Sequence, residues 1–202
     1  MGYLKIGSNS KLGKGIASWN IPAVSTCPGR TQSCESVCYA NKGLFKLQSR
    51  RYAEHYNLAE SDTFVDIINA ELATGKIKAV RIHAAGDFYS SDYIRKWIDI
   101  IRANPSVKFW SYTRSWRTPL RLPLKKLAAL PNLQLFASID NESRGEKIPT
   151  WLRRADLLED FEKRPDYVQC PNQKNKKITC EKCTYCFKDA PTIKTNIMFK
   201  VH

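Results

Sequence analysis

Seven cysteines are the residues of this 202-residue chain whose type and spacing most clearly imply chemistry, and they fall into two groups. Cys27, Cys34 and Cys38 read C-x6-C-x3-C, and Cys170, Cys180, Cys183 and Cys186 read C-x9-C-x2-C-x2-C. Thiolates this close together hold soft metal, and two successive C-x2-C steps suit an iron–sulfur cubane whose corners a tight loop cups. Four thiolates close such a [4Fe-4S] cluster, which points to a structural or electron-relay role. Three leave one iron open to an outside ligand, so the first group makes the chain a candidate enzyme. Zinc is the alternative at both places: a four-cysteine site near the end, and a Cys3His site near the start if a histidine completes it. The chain has only His55, His83 and His202, and His83 is the best placed as an additional ligand. Arg30 and Lys42 bring positive charge to the first group and favour its ionised thiols. Lys174, Lys176 and Lys177 stand in the excursion before Cys180, where they offset a cluster's negative charge or bind an anion.

The elements that must position these thiols alternate in type. Ile16–Ala23 reads as a strand running into the first cysteine loop. Gln48–Thr74 has helical periodicity with a break near Ser61-Asp62, where either residue is suited to cap the second helix. Ala79–Ala84 and Val107–Tyr112 read as strands around an amphipathic helix, Ser91–Ala103, with Ser90 or Ser91 as its N-cap. A short helix at Leu122–Leu130, a strand at Leu133–Ile139 and a further helix within Pro149–Leu158 complete the series. Strands separated by helices of this length predict an α/β fold with a parallel sheet, here partial (βα) barrel-like and followed by a cysteine-rich C-terminal loop.

In such sheets chemistry gathers at the carboxyl ends of the strands. The first strand leads to Cys27, and the second to His83, Gly86 and Asp87. The third ends in Tyr112, Thr113, Arg114 and Ser115, and the fourth in Ser138, Asp140 and Asn141. Asp87 and Arg114 are the candidate catalytic residues. Aromatics interleaved with arginine from Phe109 to Arg117 suit a carboxylate, a phosphate or a stacked base.

The blocks Cys27-Pro28-Gly29, Cys38-Tyr39-Ala40, His83-Ala84-Ala85-Gly86-Asp87-Phe88 and Cys170-Pro171 resemble a bacteriophage family known only as gene product eighty-eight. More distantly, a strand, a three-cysteine loop ending in Cys38-Tyr39-Ala40, a helix and a strand ending in Gly86-Asp87 are similar to the radical S-adenosylmethionine superfamily. The superfamily signature is C-x3-C-x2-C, so the spacing here departs from it. The second resemblance implies that Cys27, Cys34 and Cys38 hold an open-site cluster. It also implies that Tyr39, Gly86 and Asp87 line the S-adenosylmethionine site, and that an electron donor acts as partner. The closing cysteines resemble the auxiliary-cluster extensions of some members.

The net charge of +14, from 33 basic and 19 acidic residues, attracts polyanions and makes nucleic acid or a nucleotide a candidate partner. A non-enzymatic phage accessory protein with structural metal sites, binding nucleic acid or a host protein, is the competing expectation. No residue run is apolar enough to span a bilayer, and residues 1–20 lack the apolar core of a secretory leader. The chain is therefore expected in the cytoplasm, a phage host's if phage-encoded, where reduced thiols favour metal over disulfides. Its organisation reads as a βα-repeat domain over residues 1–164 with a cysteine-rich extension, 165–202, packed on it.

Overall fold

The computed structural model describes residues 2–6, 9–160, 164–188 and 195–201. The described residues hold eight strands: β1 (Lys5–Ile6), β2 (Ile16–Trp19), β3 (Ala79–Ile82), β4 (Lys108–Thr113), β5 (Leu133–Ile139), β6 (Arg153–Leu158), β7 (Tyr167–Gln169) and β8 (Asn196–Lys200). They form one sheet in the order β1-β2-β3-β4-β5-β6-β8-β7. Only β1 runs antiparallel to its neighbour; every other pairing is parallel. The fold is thus mixed α/β on a mostly parallel, open sheet, with β1 and β7 as its edges.

Sequential neighbours joined by right-handed crossovers place their helices on one face. The helices are α1 (Gln32–Ser36), α2 (Gly43–Lys46), α3 (Ser49–Glu60), α4 (Phe64–Leu72), α5 (Ser91–Ala103), α6 (Arg121–Ala128), α7 (Pro171–Lys174) and α8 (Cys180–Cys183). Period-two alternation along the strands sorts side chains between two faces. Trp19, Val80, Ile82, Phe109, Leu135 and Ile139 share a buried cluster with Phe64 and Ile68 of α4, Ile94 and Trp97 of α5, and Leu124 and Leu127 of α6. The intervening residues point the other way. Ile16, Ala79 and Trp110 pack with Cys180, Cys186 and Phe187, while Phe136, Ala155 and Ile197 pack with Cys170 and Tyr185. The cysteine-rich segment therefore covers the sheet face that the long helices leave.

Local signals account for most boundaries. Ser90 caps α5, its hydroxyl accepting from Tyr93 N at 3.1 Å. The expected break near Ser61 exists, but Thr63 precedes α4 and makes no side-chain cap. Ser61 instead ends α3, its hydroxyl donating to the Leu58 carbonyl at 2.8 Å. The helix expected within Pro149–Leu158 is not there: residues 153–158 form β6, held between β5 and β8. Its apolar residues Leu152, Ala155, Leu157 and Leu158 satisfy both periods, and two parallel neighbours supply a complete hydrogen-bond ladder that decides for the strand. No helix among the described residues is long and apolar enough to cross a membrane.

Candidate metal centres

The first cysteine loop leaves β2 and is fastened to the carboxyl ends of three other strands. Asn20 Oδ1 accepts from Ala84 N and Ala85 N beyond β3, at 2.6 and 3.1 Å. Gly86 adopts φ +83°, and a Cβ there would stand 2.3 Å from Ile21 Cγ1 and 2.8 Å from Thr26 Oγ1. Its missing side chain is filled by the loop itself. Gly29 packs closer still: a Cβ would lie 2.0 Å from the Arg114 carbonyl oxygen beyond β4. Arg117 Nη1 donates to the Gly29 carbonyl at 2.8 Å.

Thr31 caps α1 by accepting from Cys34 N at 2.9 Å, while its hydroxyl donates to the Asp140 carboxylate beyond β5. Asp140 also pairs with Arg114 at 2.9 Å and accepts from Ser143 N at 3.0 Å. Glu142 accepts from Ser33 Oγ and from Ser33 N, the latter at 2.6 Å, and these bonds, the hydroxyl's first, hold its carboxyl below the ordinary value. The strand-end residues Asp87, Arg114 and Asp140 do converge around the cysteine loop, and they converge as its scaffold.

Asp87 shows this most plainly. Its oxygens accept from Phe88 N at 2.7 Å, Thr113 Oγ1 at 2.6 Å, Arg114 N at 2.7 Å and Ser115 N at 3.2 Å. Burial raises its pKa despite those four bonds. Burial also pushes the Asp140 carboxyl up, but Thr31, Arg114 and Ser143 together hold it below the usual range. Tyr39 lies at the rim, half exposed, its hydroxyl donating to the Ala84 carbonyl at 2.5 Å. His83 is not brought to the thiols. It sits at the end of β3 with φ +68° and turns into the aromatic core, its Nε2 2.8 Å from Tyr93 Oη and its ring edge-on to Phe88. Burial first, then Arg81, lowers its pKa to about 3. His55 is likewise buried, stacked on Trp19, and His202 lies outside the described residues.

All seven cysteines are free thiols, and those of the first loop are half-buried. Burial, then the Asp87 charge, pushes Cys27 up to about 12, and the neighbouring Cys34 and Cys38 push the same way. Cys34 is raised by burial against the opposing pull of Arg114.

The second group has different surroundings. Cys180 N and Glu181 N donate to the carbonyls of Lys11 and Leu12 at 2.8 and 2.9 Å. The Glu181 carboxylate accepts from Lys14 N and Gly15 N at 2.9 and 3.0 Å. Cys170 is buried and donates its N–H to the Met198 carbonyl of β8 at 3.0 Å. Phe187 stacks on Trp110 at 4.9 Å, and Tyr112 Oη donates to Cys186 Sγ at 2.9 Å. Burial pushes Cys186 up to about 12 despite that hydrogen bond.

Three cations face this group. Arg81 stands over the Tyr112 ring at 5.5 Å, Arg153 over Phe136 at 4.3 Å and Tyr185 at 5.2 Å, and Lys11 over Phe199 at 5.3 Å. Cys180 and Cys186 bear electrostatically on Arg81 and Lys11, and Cys186 on Arg153. Sequence reasoning missed these cations. The available signal was Arg81, a charge in the middle of the otherwise apolar Ala79-Val80-Arg81-Ile82.

Among the described residues no three His, Cys, Asp or Glu side chains stand close enough together to grip a metal ion as they are placed. The donor chemistry nonetheless suits soft metal in both groups: the thiols are free, and within each group they feel one another's charge.

Residues 3–189, a span that includes every cysteine, match the family described as Gene product 88. The chain is similar to the "Gene 88 protein" of Mycobacterium phage L5, 31% identical over 131 residues that cover 58% of this chain and 54% of that protein. It is also similar to the "Gene 88 protein" of Mycobacterium phage D29, 27% identical over 189 residues, covering 80% and 78% of the two chains. The match thus spans about half the length of the L5 relative. No solved structure matches.

Proposed function

This chain belongs to the gene product 88 family of bacteriophage proteins, and from that premise we propose that it is an iron–sulfur protein with two thiolate centres, one of them open. The observation that carries the reading is a loop of three free, half-buried thiols pinned at the carboxyl end of a parallel sheet by Asn20 at the end of β2, which holds the backbone beyond β3, by Arg117 beyond β4 and by Asp140 beyond β5. Pre-organised loops at that end are where α/β folds place their reacting groups. The sequential order of β2 to β6, with helices on one face, supports reading the sheet as a partial (βα) barrel whose inner face the second thiol group lines.

Cys27, Cys34 and Cys38 would hold the open [4Fe-4S] cluster, and Cys170, Cys180, Cys183 and Cys186 a closed one, with zinc the alternative metal. Loading would draw each set of thiols inward. The chemistry an open-site cluster held there would supply is the electron for reductive cleavage of S-adenosylmethionine, as in the radical enzymes that the strand–loop order resembles. The protein's own part is positional. Asp87 and Gly86 fix the loop against β4 and β2 rather than presenting free polar groups. Arg114, balanced by Asp140, keeps a cation beside Cys34. Tyr39 caps the rim beside the third cysteine.

Anaerobic reconstitution with iron and sulfide tests this. About four irons per cluster are expected, together with a change in the reduced protein's EPR spectrum when S-adenosylmethionine is added. A colourless, iron-free preparation, or a spectrum indifferent to S-adenosylmethionine, removes the open-site reading. The +14 charge supports a second reading, an accessory protein that binds nucleic acid while its metals serve structure alone. That reading expects nucleic-acid affinity to fall steeply with salt.

A further inference from the structure

We propose that Arg81, Lys11 and Arg153 are a built-in counter-cation cage for a dianionic metal centre at Cys170, Cys180, Cys183 and Cys186. The proposal rests on the reading that this group binds metal, and it assigns the charge of what is bound and the residues that neutralise it.

Arg81 is the key observation. It projects from the middle of β3 onto the face covered by the cysteine segment, between Trp110 and Tyr112 of β4 and the loop that carries Cys180 and Cys186. Its Nε is buried and has no hydrogen-bond partner. Its side chain makes a long hydrogen bond, from Nη2 to Tyr39 Oη at 3.5 Å. Lys11 reaches the same place from the segment whose carbonyls hold Cys180 and Glu181. Arg153 approaches from β6, its Nε and Nη2 donating to the Thr195 carbonyl at 3.2 and 2.8 Å. No described carboxylate pairs with any of the three; the groups of opposite charge that bear on them are thiols and phenols.

The three residues are half-buried, and cations drawn out of water without a carboxylate are costly, so folded proteins keep them where an anion is bound. Ordinary thiols are neutral at pH 7 and supply no such charge. Metal takes them as thiolates. Four thiolates around a zinc ion, or around an oxidised cubane core, make a dianion. The cage therefore has its partner only when the site is loaded. Tyr112, donating to Cys186 Sγ, adds a hydrogen bond of the kind that stabilises a charged sulfur. Among the described residues the first cysteine loop has no comparable cage: its cations Arg114 and Arg30 are already paired, with Asp140 and Glu35.

The test compares the full chain and its Arg81→Met variant by thermal unfolding, each prepared anaerobically with metal and again after chelation. The variant is expected to melt lower than the parent when loaded and higher when stripped, because the same cation is paired in one state and orphaned in the other. Zinc competition against a chromophoric chelator, in a Cys27→Ser/Cys34→Ser/Cys38→Ser background, is expected to show roughly 10–100-fold weaker binding in Arg81→Met, the usual cost of losing a supporting residue around a metal site. Arg81→Lys is expected to retain most of the affinity. If Arg81→Met does not fold, Lys11→Gln and Arg153→Gln carry the same sign test. A shift of the same sign in both states, or zinc affinity that ignores the loss of these charges, overturns the proposal. A spectrum unmoved by S-adenosylmethionine would remove the open-site reading and leave this one standing.

Discussion

The two thiol groups sit on one sheet and are held by opposite means. The first is anchored by polar geometry: Asp87, Asp140, Thr31 and Asn20 spend their hydrogen bonds on the backbone of the loop and of the strand ends around it. The second is laid on aromatic rings and faced by cations that no described carboxylate pairs. Hydrogen bonds fix direction, so the first arrangement suits a rim that must present ligands to an incoming molecule. Cations and rings facing the thiols stabilise charge, so the second suits a centre that holds its metal.

The largest expected effect separates the two. Asp87→Ala removes the acceptor of four bonds and leaves the amides of Phe88 and Arg114 and the Thr113 hydroxyl without an acceptor, while Ser115 N keeps only Thr113 Oγ1. A loss of about 4 kcal/mol is expected by urea unfolding. Metal binding by Cys27, Cys34 and Cys38 should be lost with it, while the four-cysteine group keeps its metal in whatever fraction folds. Loss from both groups together would show that they are one structural unit.

Gly29→Ala comes next. The new methyl group meets the Arg114 carbonyl at 2.0 Å, a backbone atom that β4 holds in place, so the loop must back away from the strand end. The expected cost is about 3 kcal/mol, again confined to the first group. Unchanged stability and an unchanged iron count would mean that the loop is not packed against β4 in solution.

How much of this was legible in the sequence differs between the two regions in the same way. The βα alternation from β2 to β5, the cap at Ser90 and the convergence of strand ends on Cys27 all follow from local periodicity and from the rule that parallel strands share a carboxyl end. The role of Asp87 was less legible, because a Gly-Asp step looks the same whether the carboxylate faces a ligand or four backbone and hydroxyl donors. Around the second group little was readable. The residues of β6 read as a helix in the sequence, and β7 and β8 leave no periodic signal there. β8 slots between β6 and β7 and pairs with residues some forty positions earlier, as Asn196 does with Arg154. The cation cage is likewise a product of register: Arg81 meets Tyr112 and the cysteine segment only once β3 is paired with β4.

Acid should test the aromatic core, which holds none of the thiols. His83, turned into that core at the end of β3, is buried neutral with its pKa lowered to about 3. Its ordinary value is about 6.5, so between those limits the unfolded chain binds a proton that the folded chain refuses. Stability from this residue is complete above about pH 6.5 and falls by about 1.4 kcal/mol per unit as pH drops through the window. His55, lowered to about 4 by burial and Arg51, adds the same sign over a narrower range. His83→Gln should flatten the acid limb of the stability profile; a limb of unchanged slope means that His83 is not the group refusing the proton.

The smallest effect is the most specific to the second group. Tyr112→Phe deletes one hydroxyl and, with it, the hydrogen bond to Cys186 Sγ, while Phe136 and Phe199 keep their contacts with the ring. To a neutral thiol, such a bond is worth about 1 kcal/mol; to a charged acceptor, about 2 kcal/mol. The variant should therefore lose roughly twice as much stability in the metal-loaded protein as in the stripped one, and its first cysteine loop should bind metal as before. Equal losses in the two states would mean that Cys186 carries no charge when the protein is loaded. The fourth corner of the centre would then have to be sought among the other thiols, and the contrast between a hydrogen-bonded rim and a charge-stabilising pocket would lose its firmest contact.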